Sequence, residues 1–342
     1  MNGETLACLA CPTCASELSP SAATDGGVAG HGALRCDRGH EFAVVDGIPR
    51  FTGGALTASA SAASIQSSFG SEWTQLEYDT DRVWGQSLEL RREIALRELD
   101  CEAADLEGKL VLDAGCGAGL LSYLLWEMGA RVVAADITTS VNAAQRYLRS
   151  RGADGVDFVQ ADLLNPPFRA GSFDIVFSGG VLHHNPDTRA ALDAIAPLVA
   201  PGGQIYAWLY GPTPGLAHRV RTLVRKVVVP LPPTAQRSLM RVWTAQSIAR
   251  QQLRRRTGRA RPDDGVTYRE KLVTLLDHYT PRYRWEHTPE ELSAWYRELG
   301  LAHVNTTEHT PVGFGVLARR PAAATARAGG QPVPARAATP NG

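Results

Sequence analysis

Four groups of residues in this chain have types and spacings suited to chemistry. Cys11-Pro-Thr-Cys14 is followed by Cys36-Asp-Arg-Gly-His40. Two close pairs separated by a loop are what a tetrahedral zinc site requires, because each short knuckle presents two ligands and the pairs then meet across the metal. A segment of about 50 residues is also too small to be held by apolar burial alone, which is where a metal contributes most. Cys8-Leu-Ala-Cys11 is a competing pair. Pro12 suits the knuckle turn and favours Cys11 and Cys14. With Cys11, Cys14, Cys36 and His40 all supplied by the protein, no open position is left, and the expected role of Zn2+ is structural. The alternative is a metal-free ribbon with free thiols.

The second group is Val111-Leu-Asp113-Ala-Gly115-Cys-Gly117-Ala-Gly119, an apolar strand running into a glycine-rich turn that opens a helix. Residues without side chains let the backbone approach a ligand closely, and a helix N-terminus supplies free N–H groups. The dinucleotide fingerprint Gly-x-Gly-x-x-Gly is the rival reading, but position 120 is Leu and an acidic residue ends the strand. Asp113 would repel a pyrophosphate, yet it suits a ligand bearing a sulfonium and an amino group. Two further strand ends carry carboxylates, Asp136 and Asp162. The fourth group follows another strand, Ser178-Gly-Gly-Val-Leu-His183-His184-Asn-Pro-Asp187. An imidazole that titrates near neutrality suits a general base.

Residues 109 to 210, with Asp113-x-Gly-Cys-Gly-x-Gly as the first motif, resemble the class I S-adenosylmethionine-dependent methyltransferases. The resemblance implies that Asp113, Gly115, Gly117 and Gly119 hold S-adenosylmethionine. It also implies that Asp136 with Ile137 takes the ribose hydroxyls, that Asp162 and Leu163 face the adenine, and that Ser178 joins the cofactor site. Either Asp can instead be a strand-end cap, and Asp174 reads as structural. The Leu-His-His-x-Pro-Asp loop resembles that of many small-molecule methyltransferases. Methyl transfer is an in-line displacement that needs a placed nucleophile and a group to take its proton, so His183 and His184 are the candidate catalytic residues, with orientation or packing as the other role. Cys11 to Phe51 resembles the zinc-ribbon segment of Trm112-like proteins and the ribbon at the front of some ribosomal-RNA guanine methyltransferases.

The elements that must position these groups follow from apolar patterning. Short β-rich runs at 109–113, 131–136, 156–162, 173–178 and 203–210 alternate with helical stretches at 117–128, 139–151 and 187–199. This alternation predicts an α/β fold with a parallel sheet covered on both faces. Two more strands, about 301–308 and 313–319, follow a helix whose start is marked by Thr288 as N-cap, Pro289 at the first helical position and a capping-box Glu291. The resemblance implies a doubly wound, Rossmann-like methyltransferase sheet of seven strands with the last antiparallel. The expected organisation is a ribbon at 1–51, a linker at 52–64, a catalytic domain at 65–320 with a helical lid at 211–287, and a disordered tail at 321–342. Phe69 to Tyr78 resembles an aromatic helix that covers the cofactor. Trp208, Tyr210, Tyr279, Tyr283 and His287 are further candidates for a pocket wall.

The chain of 342 residues balances 35 Lys+Arg against 35 Asp+Glu. The balance excludes a uniformly basic nucleic-acid protein and an acidic disordered one, but it is a cancellation. Residues 211–262 hold 12 Lys+Arg and no acid, and outside them and residues 319–342, which add four Arg, the chain carries 19 bases against 35 acids. Leu216, Val220, Leu223, Val224, Val227 and Val228 follow helical spacing, so one face is expected to pack down while Arg219, Arg221, Arg225 and Lys226 line another. Three readings of this basic insertion stand: a solvated face, a lid over an anionic small substrate, or an RNA-binding surface. The expected function is methyl transfer to a small-molecule acceptor, natural product or other anionic metabolite. The alternatives are an RNA methyltransferase and a catalytically inactive scaffold. No stretch approaches the roughly 20 apolar residues of a membrane span, and no signal sequence opens the chain, so a cytoplasmic protein with no membrane partner is expected.

Overall fold

A computed structural model describes residues 1–21, 30–52, 82–83, 86–213, 215–259, 261 and 265–322. The expected linker beyond residue 52, the Phe69–Tyr78 segment and the tail beyond residue 322 lie outside the described residues.

The N-terminal segment begins with a short helix, α1 (Gly3–Cys8), and a four-stranded antiparallel sheet, β1 (Leu18–Pro20), β2 (Gly32–Cys36), β3 (Glu41–Val45) and β4 (Ile48–Pro49), paired in sequence order. It does not stand apart. Leu9, Leu18, Leu34, Phe42 and Phe51 are buried in one core with Phe168, Phe173 and the central strands. Arg50 bridges to Gln160 in parallel, and Phe51 N donates to Gln160 O at 2.8 Å. Gln160 ends an outer strand of the large sheet, so the small sheet continues that edge and covers groups that would otherwise be open to stray pairing.

The large sheet follows α2 (Leu88–Leu99). Its strands are β5 (Leu110–Ala114), β6 (Arg131–Asp136), β7 (Asp157–Gln160), β8 (Phe173–Gly179), β9 (Val199–Tyr210), β10 (Ala302–His309) and β11 (Gly313–Arg319). Their spatial order is β10-β11-β9-β8-β5-β6-β7. Strands β7, β6, β5, β8 and β9 run parallel, and β11 is antiparallel to both β9 and β10. The mixed seven-stranded sheet with its antiparallel last strand is what the alternating pattern and the resemblance predict. The crossovers are α3 (Leu120–Glu127), α4 (Ser140–Ser150) and α5 (Thr188–Ile195). Strand β5 is buried at every position, the pattern of a strand covered on both faces.

Between β9 and β10 lie α6 (Gly215–Val228), α7 (Pro233–Arg256), α8 (Tyr268–Tyr279) and α9 (Pro289–Glu298). Val228, Met240, Leu272, Leu275 and Leu276 form a small core of their own among α6, α7 and α8. Helix α9 starts at Thr288, whose hydroxyl accepts from Glu291 N at 3.2 Å. In place of the expected reciprocal bond, the Glu291 carboxylate meets His287 Nδ1 at 2.9 Å. A full capping box occurs at α8, between Thr267 and Glu270.

Candidate functional site

In the N-terminal segment the knuckles are built by local hydrogen bonds. Ala15 N donates to Cys11 O at 2.7 Å, and Cys36 N donates to His40 O at 3.0 Å. They bring the ligand atoms of Cys11, Cys14, Cys36 and His40 within 4.8 Å of one another. Cys14 and Cys36 Sγ are 3.7 Å apart, and His40 Nδ1 lies 3.5 Å from Cys11 Sγ and 3.3 Å from Cys36 Sγ. Tetrahedral zinc with Zn–S near 2.3 Å and Zn–N near 2.0 Å has edges of about 3.7 Å for S···S and about 3.5 Å for S···N. The donor set therefore fits that ion in both chemistry and spacing. The Ser16 hydroxyl and backbone hold the Cys14 thiol down to about 6, toward the thiolate that a metal requires. Cys8 stands outside the cluster, at the end of α1.

The second site is a cavity of about 580 Å3 at the C-terminal ends of the parallel strands, where sheets of this kind bind ligands. Asp113 is buried at the end of β5, accepts from Ser122 Oγ at 2.5 Å, and is pushed up to about 6 by burial. Asp136 Oδ1 accepts from Thr138 N and Oγ1, both at 2.8 Å, and its Oδ2 accepts from Gly117 N at 2.9 Å. Asp162 Oδ1 accepts from Leu164 N at 2.9 Å. Burial raises Asp136 and Asp162 as well, and no ion pair to any of the three is seen among the described residues. Ile137 and Leu163 line the same cavity.

The glycine turn is tied to β6. Gly115 N and Cys116 N both donate to Ala135 O, at 2.8 and 3.0 Å, Gly117 N to Asp136, and Gly119 N to Cys116 O at 2.8 Å. These four N–H groups are not offered to a phosphate, so the turn is not an anion nest. Gly115 has φ +93, and a Cβ there would fall inside Val181. Two expected ligands have other roles. Gly119 does not line the cavity; a Cβ on it would meet Ala144 Cβ at 3.1 Å, so its bareness seats α3 against α4. Ser178 is fully buried and donates to Ala114 O at 3.0 Å, tying β8 to β5.

Six carboxylates line the cavity, Glu98, Asp277 and Glu308 joining Asp113, Asp136 and Asp162. The one guanidinium there among the described residues, Arg91, is 2.7 Å from Glu98. Such a wall favours a cationic ligand and disfavours an anion. No described residue of 211–262 lines the cavity. The part of the expected 211–287 lid segment that reaches the cavity is therefore not its basic stretch: Arg221 pairs with Glu286, and Arg225 donates to His278 O at 3.1 Å and Pro281 O at 2.8 Å. The wall comes instead from α8, through Thr274, Asp277 and His278.

The two loop histidines part company. His183 is fully buried, does not line the cavity, and neither ring nitrogen has a hydrogen-bond partner among the described residues. Burial, followed by His184 and Arg284, pushes its pKa well below the ordinary value. It is a neutral ring packed 4.3 Å from Tyr210, and its candidacy as a base is corrected to packing. His184 lines the cavity. Its Nδ1 is 2.9 Å from Tyr283 O, and a carbonyl only accepts, so Nδ1 carries a proton and Nε2 is the nitrogen that can share one with Asp277. Nε2 faces Asp277 Oδ1 at 3.5 Å. Tyr210 OH donates to Asp277 Oδ2. Burial alone would raise the Asp277 pKa, but its bond to and charge interaction with His184, joined by His278 and Tyr210, hold it below the usual range. Trp208 and Tyr210 line the cavity, whereas Tyr279, Tyr283 and His287 do not. Asp277 was missed by sequence reasoning; its position beside the singled-out Tyr279 was the only signal.

Residues 112–207 match the family model described as a methyltransferase domain. The chain is 36% identical over 105 residues to the ubiquinone biosynthesis O-methyltransferase of Erwinia tasmaniensis, covering 30% of this chain and 43% of that protein. It is 38% identical over 104 residues to the protein of the same name from Aromatoleum aromaticum, covering 30% and 44%. The chain thus spans less than half the length of these relatives. Among solved structures, magnesium protoporphyrin IX methyltransferase from Synechocystis PCC 6803 with bound SAH is 18% identical, with a TM-score of 0.46 over 76% of this chain and 99% of that one. That likeness is too loose to bear on function.

Proposed function

We propose that this chain transfers a methyl group from S-adenosylmethionine to a small-molecule acceptor that enters the cavity as a neutral or cationic species. The observation that carries the reading is the convergence of Asp113, Asp136 and Asp162, none in an ion pair among the described residues, beside a glycine turn tied to β6, in one cavity with His184 and Asp277. The match of residues 112–207 to a methyltransferase domain supports it, as do the small-molecule O-methyltransferases among the relatives.

When bound, S-adenosylmethionine supplies a methyl group on a positively charged sulfur, open to in-line attack. Asp113 offers its carboxylate to a ligand ammonium, Asp136 offers acceptors to a diol, and Asp162 to an exocyclic amine. At the far wall, His184 Nε2 lies in the lining rather than the lumen, so the proton-accepting unit is the His184–Asp277 pair. Because Nε2 is buried behind the lining, a proton given up by an acceptor hydroxyl or amine enters through the Asp277 carboxylate, which lines the cavity 3.5 Å from Nε2, and is shared with the ring that Tyr283 O keeps from turning. Trp208 and Tyr210, edge to face with ring centroids 5.4 Å apart, provide an aromatic wall for the acceptor.

Zn2+ at Cys11, Cys14, Cys36 and His40 would be structural in this reading, holding the small sheet against the β7 edge. RNA remains the second reading on the strength of that ribbon and the basic insertion. Titration calorimetry with S-adenosylhomocysteine and with NAD tests the cofactor assignment. Binding of the first alone is expected; binding of NAD alone would overturn it.

A further inference from the structure

Helix α6 carries its apolar residues on the wrong side for a core. Leu216, Val220, Leu223 and Val227 are 76%, 50%, 66% and 62% exposed. At 3.6 residues per turn they fall within about 60° of the helix circumference. The opposite side is the one that packs: Val228 is buried, and Arg221 and Arg225 reach Glu286 and the carbonyls of His278 and Pro281. The expected orientation, apolar face inward and arginines outward, is inverted for these residues. Exposed Arg219 and Lys226 border the bare stripe on one side. Helix α7 also exposes apolar residues, Leu239, Val242 and Leu253 at 41%, 56% and 62%, and by helical spacing exposed Arg250 adjoins them.

We propose that α6, with α7, docks on the surface of an anionic phospholipid bilayer, the α6 stripe entering the boundary between headgroups and acyl chains and the basic residues meeting lipid phosphates. An apolar stripe flanked by Lys and Arg, on helices otherwise rich in polar and charged residues, is the pattern of a segment that lies in the interface rather than crossing it. No helix among the described residues is long and apolar enough to cross a membrane, and an interfacial helix needs no such length. Charge selects this occupant. Residues 211–262 hold 12 basic and no acidic residues, so a second copy laid on the stripe would bring like charges together, whereas a nucleic acid would leave the stripe in water. An anionic bilayer satisfies both features at once. The proposal stands independently of the methyl-transfer reading.

Vesicle flotation with the full chain tests it. Probes are vesicles of phosphatidylcholine alone and of phosphatidylcholine with roughly one third phosphatidylglycerol. Wild type is expected to float with the anionic vesicles only, and to be released as salt rises from about 0.1 to 0.5 M. The variant L216S/V220S/L223S/V227S should bind them at least about tenfold more weakly, with an unchanged melting temperature because the stripe is exposed. R219Q/K226Q should weaken binding by about three- to tenfold. Absence of wild-type flotation overturns the proposal, as does undiminished flotation of the serine variant. A lowered melting temperature, or a dimer in wild type that dissociates in the serine variant, would show the stripe covered by this chain or a second copy and would equally overturn it. Retention by RNA in place of vesicles does the same.

Discussion

Asp113→Asn is expected to make the ligand-free protein relatively more stable as pH rises while it weakens cofactor binding. Burial holds the Asp113 carboxyl near 6 in the fold, against an ordinary value of 3.8. A carboxyl whose folded pKa is raised contributes stability below the unfolded value and loses it as pH rises through the folded one. Over the full window the loss is about 3 kcal/mol, and between pH 5 and pH 7.5 about 1.5 kcal/mol. Asparagine has no such titration, and its carbonyl can still accept from the Ser122 hydroxyl. The new amide N–H groups carry their own cost, of order 1–3 kcal/mol if one stays unpaired, but that cost does not vary with pH. The readout is therefore the change with pH in the stability difference between variant and wild type, measured by urea unfolding without ligand. The difference should move in favour of the variant by about 1.5 kcal/mol from pH 5 to pH 7.5. Calorimetry at pH 7.5 should show S-adenosylhomocysteine binding weakened at least about tenfold, the scale of one buried charged hydrogen bond. A flat difference, or one that moves toward wild type, would refute the reasoning that a buried, unneutralised carboxylate waits there for a cation.

The histidines should separate by assay: His184→Gln should lower turnover by about 100-fold or more at saturating cofactor with cofactor affinity within about twofold, whereas His183→Leu should keep turnover within about fivefold and melt no lower than wild type, since no hydrogen bond is lost. Equal turnover losses would contradict the assignment. Gly115→Ala should be destabilised by at least about 2 kcal/mol in denaturant unfolding, because strained φ and the collision with Val181 add, and adding Val181→Ala should recover only part of it. Chelation should increase hydrogen exchange across residues 1–51 and at the loop carrying Ile137, because Arg50 links the small sheet to Asn142 at 2.5 Å and Gln160 reaches Ile137 O at 3.1 Å. Cofactor affinity should fall only about two- to threefold, and complete loss would point to a different role for the metal.

Strands β5 to β9 were legible because each is a short apolar run between glycine or helix signals, and the ends of β5, β6 and β7 pointed to the carboxylates that now share a cavity. What sequence spacing could not supply was direction. Helical periodicity on α6 marks a stripe but not which side faces the protein; Arg221 and Arg225 turn inward because Glu286 and two carbonyls receive them. Gly119 and Ser178 sit within the right motifs, yet their partners, Ala144 and Ala114, come from other elements. The adjacent histidines are alike in sequence, and only the packing of Tyr210 and the Tyr283 carbonyl tells them apart. Asp277 lies 93 positions after His184, so no local pattern joins them.

The most direct test of methyl transfer is to incubate the protein with methyl-labelled S-adenosylmethionine and a cell extract divided into metabolite and RNA fractions. Label should appear in the metabolite fraction and fall at least about 100-fold with His184→Gln. Label in RNA, or none in either fraction while the cofactor is bound, would contradict the account.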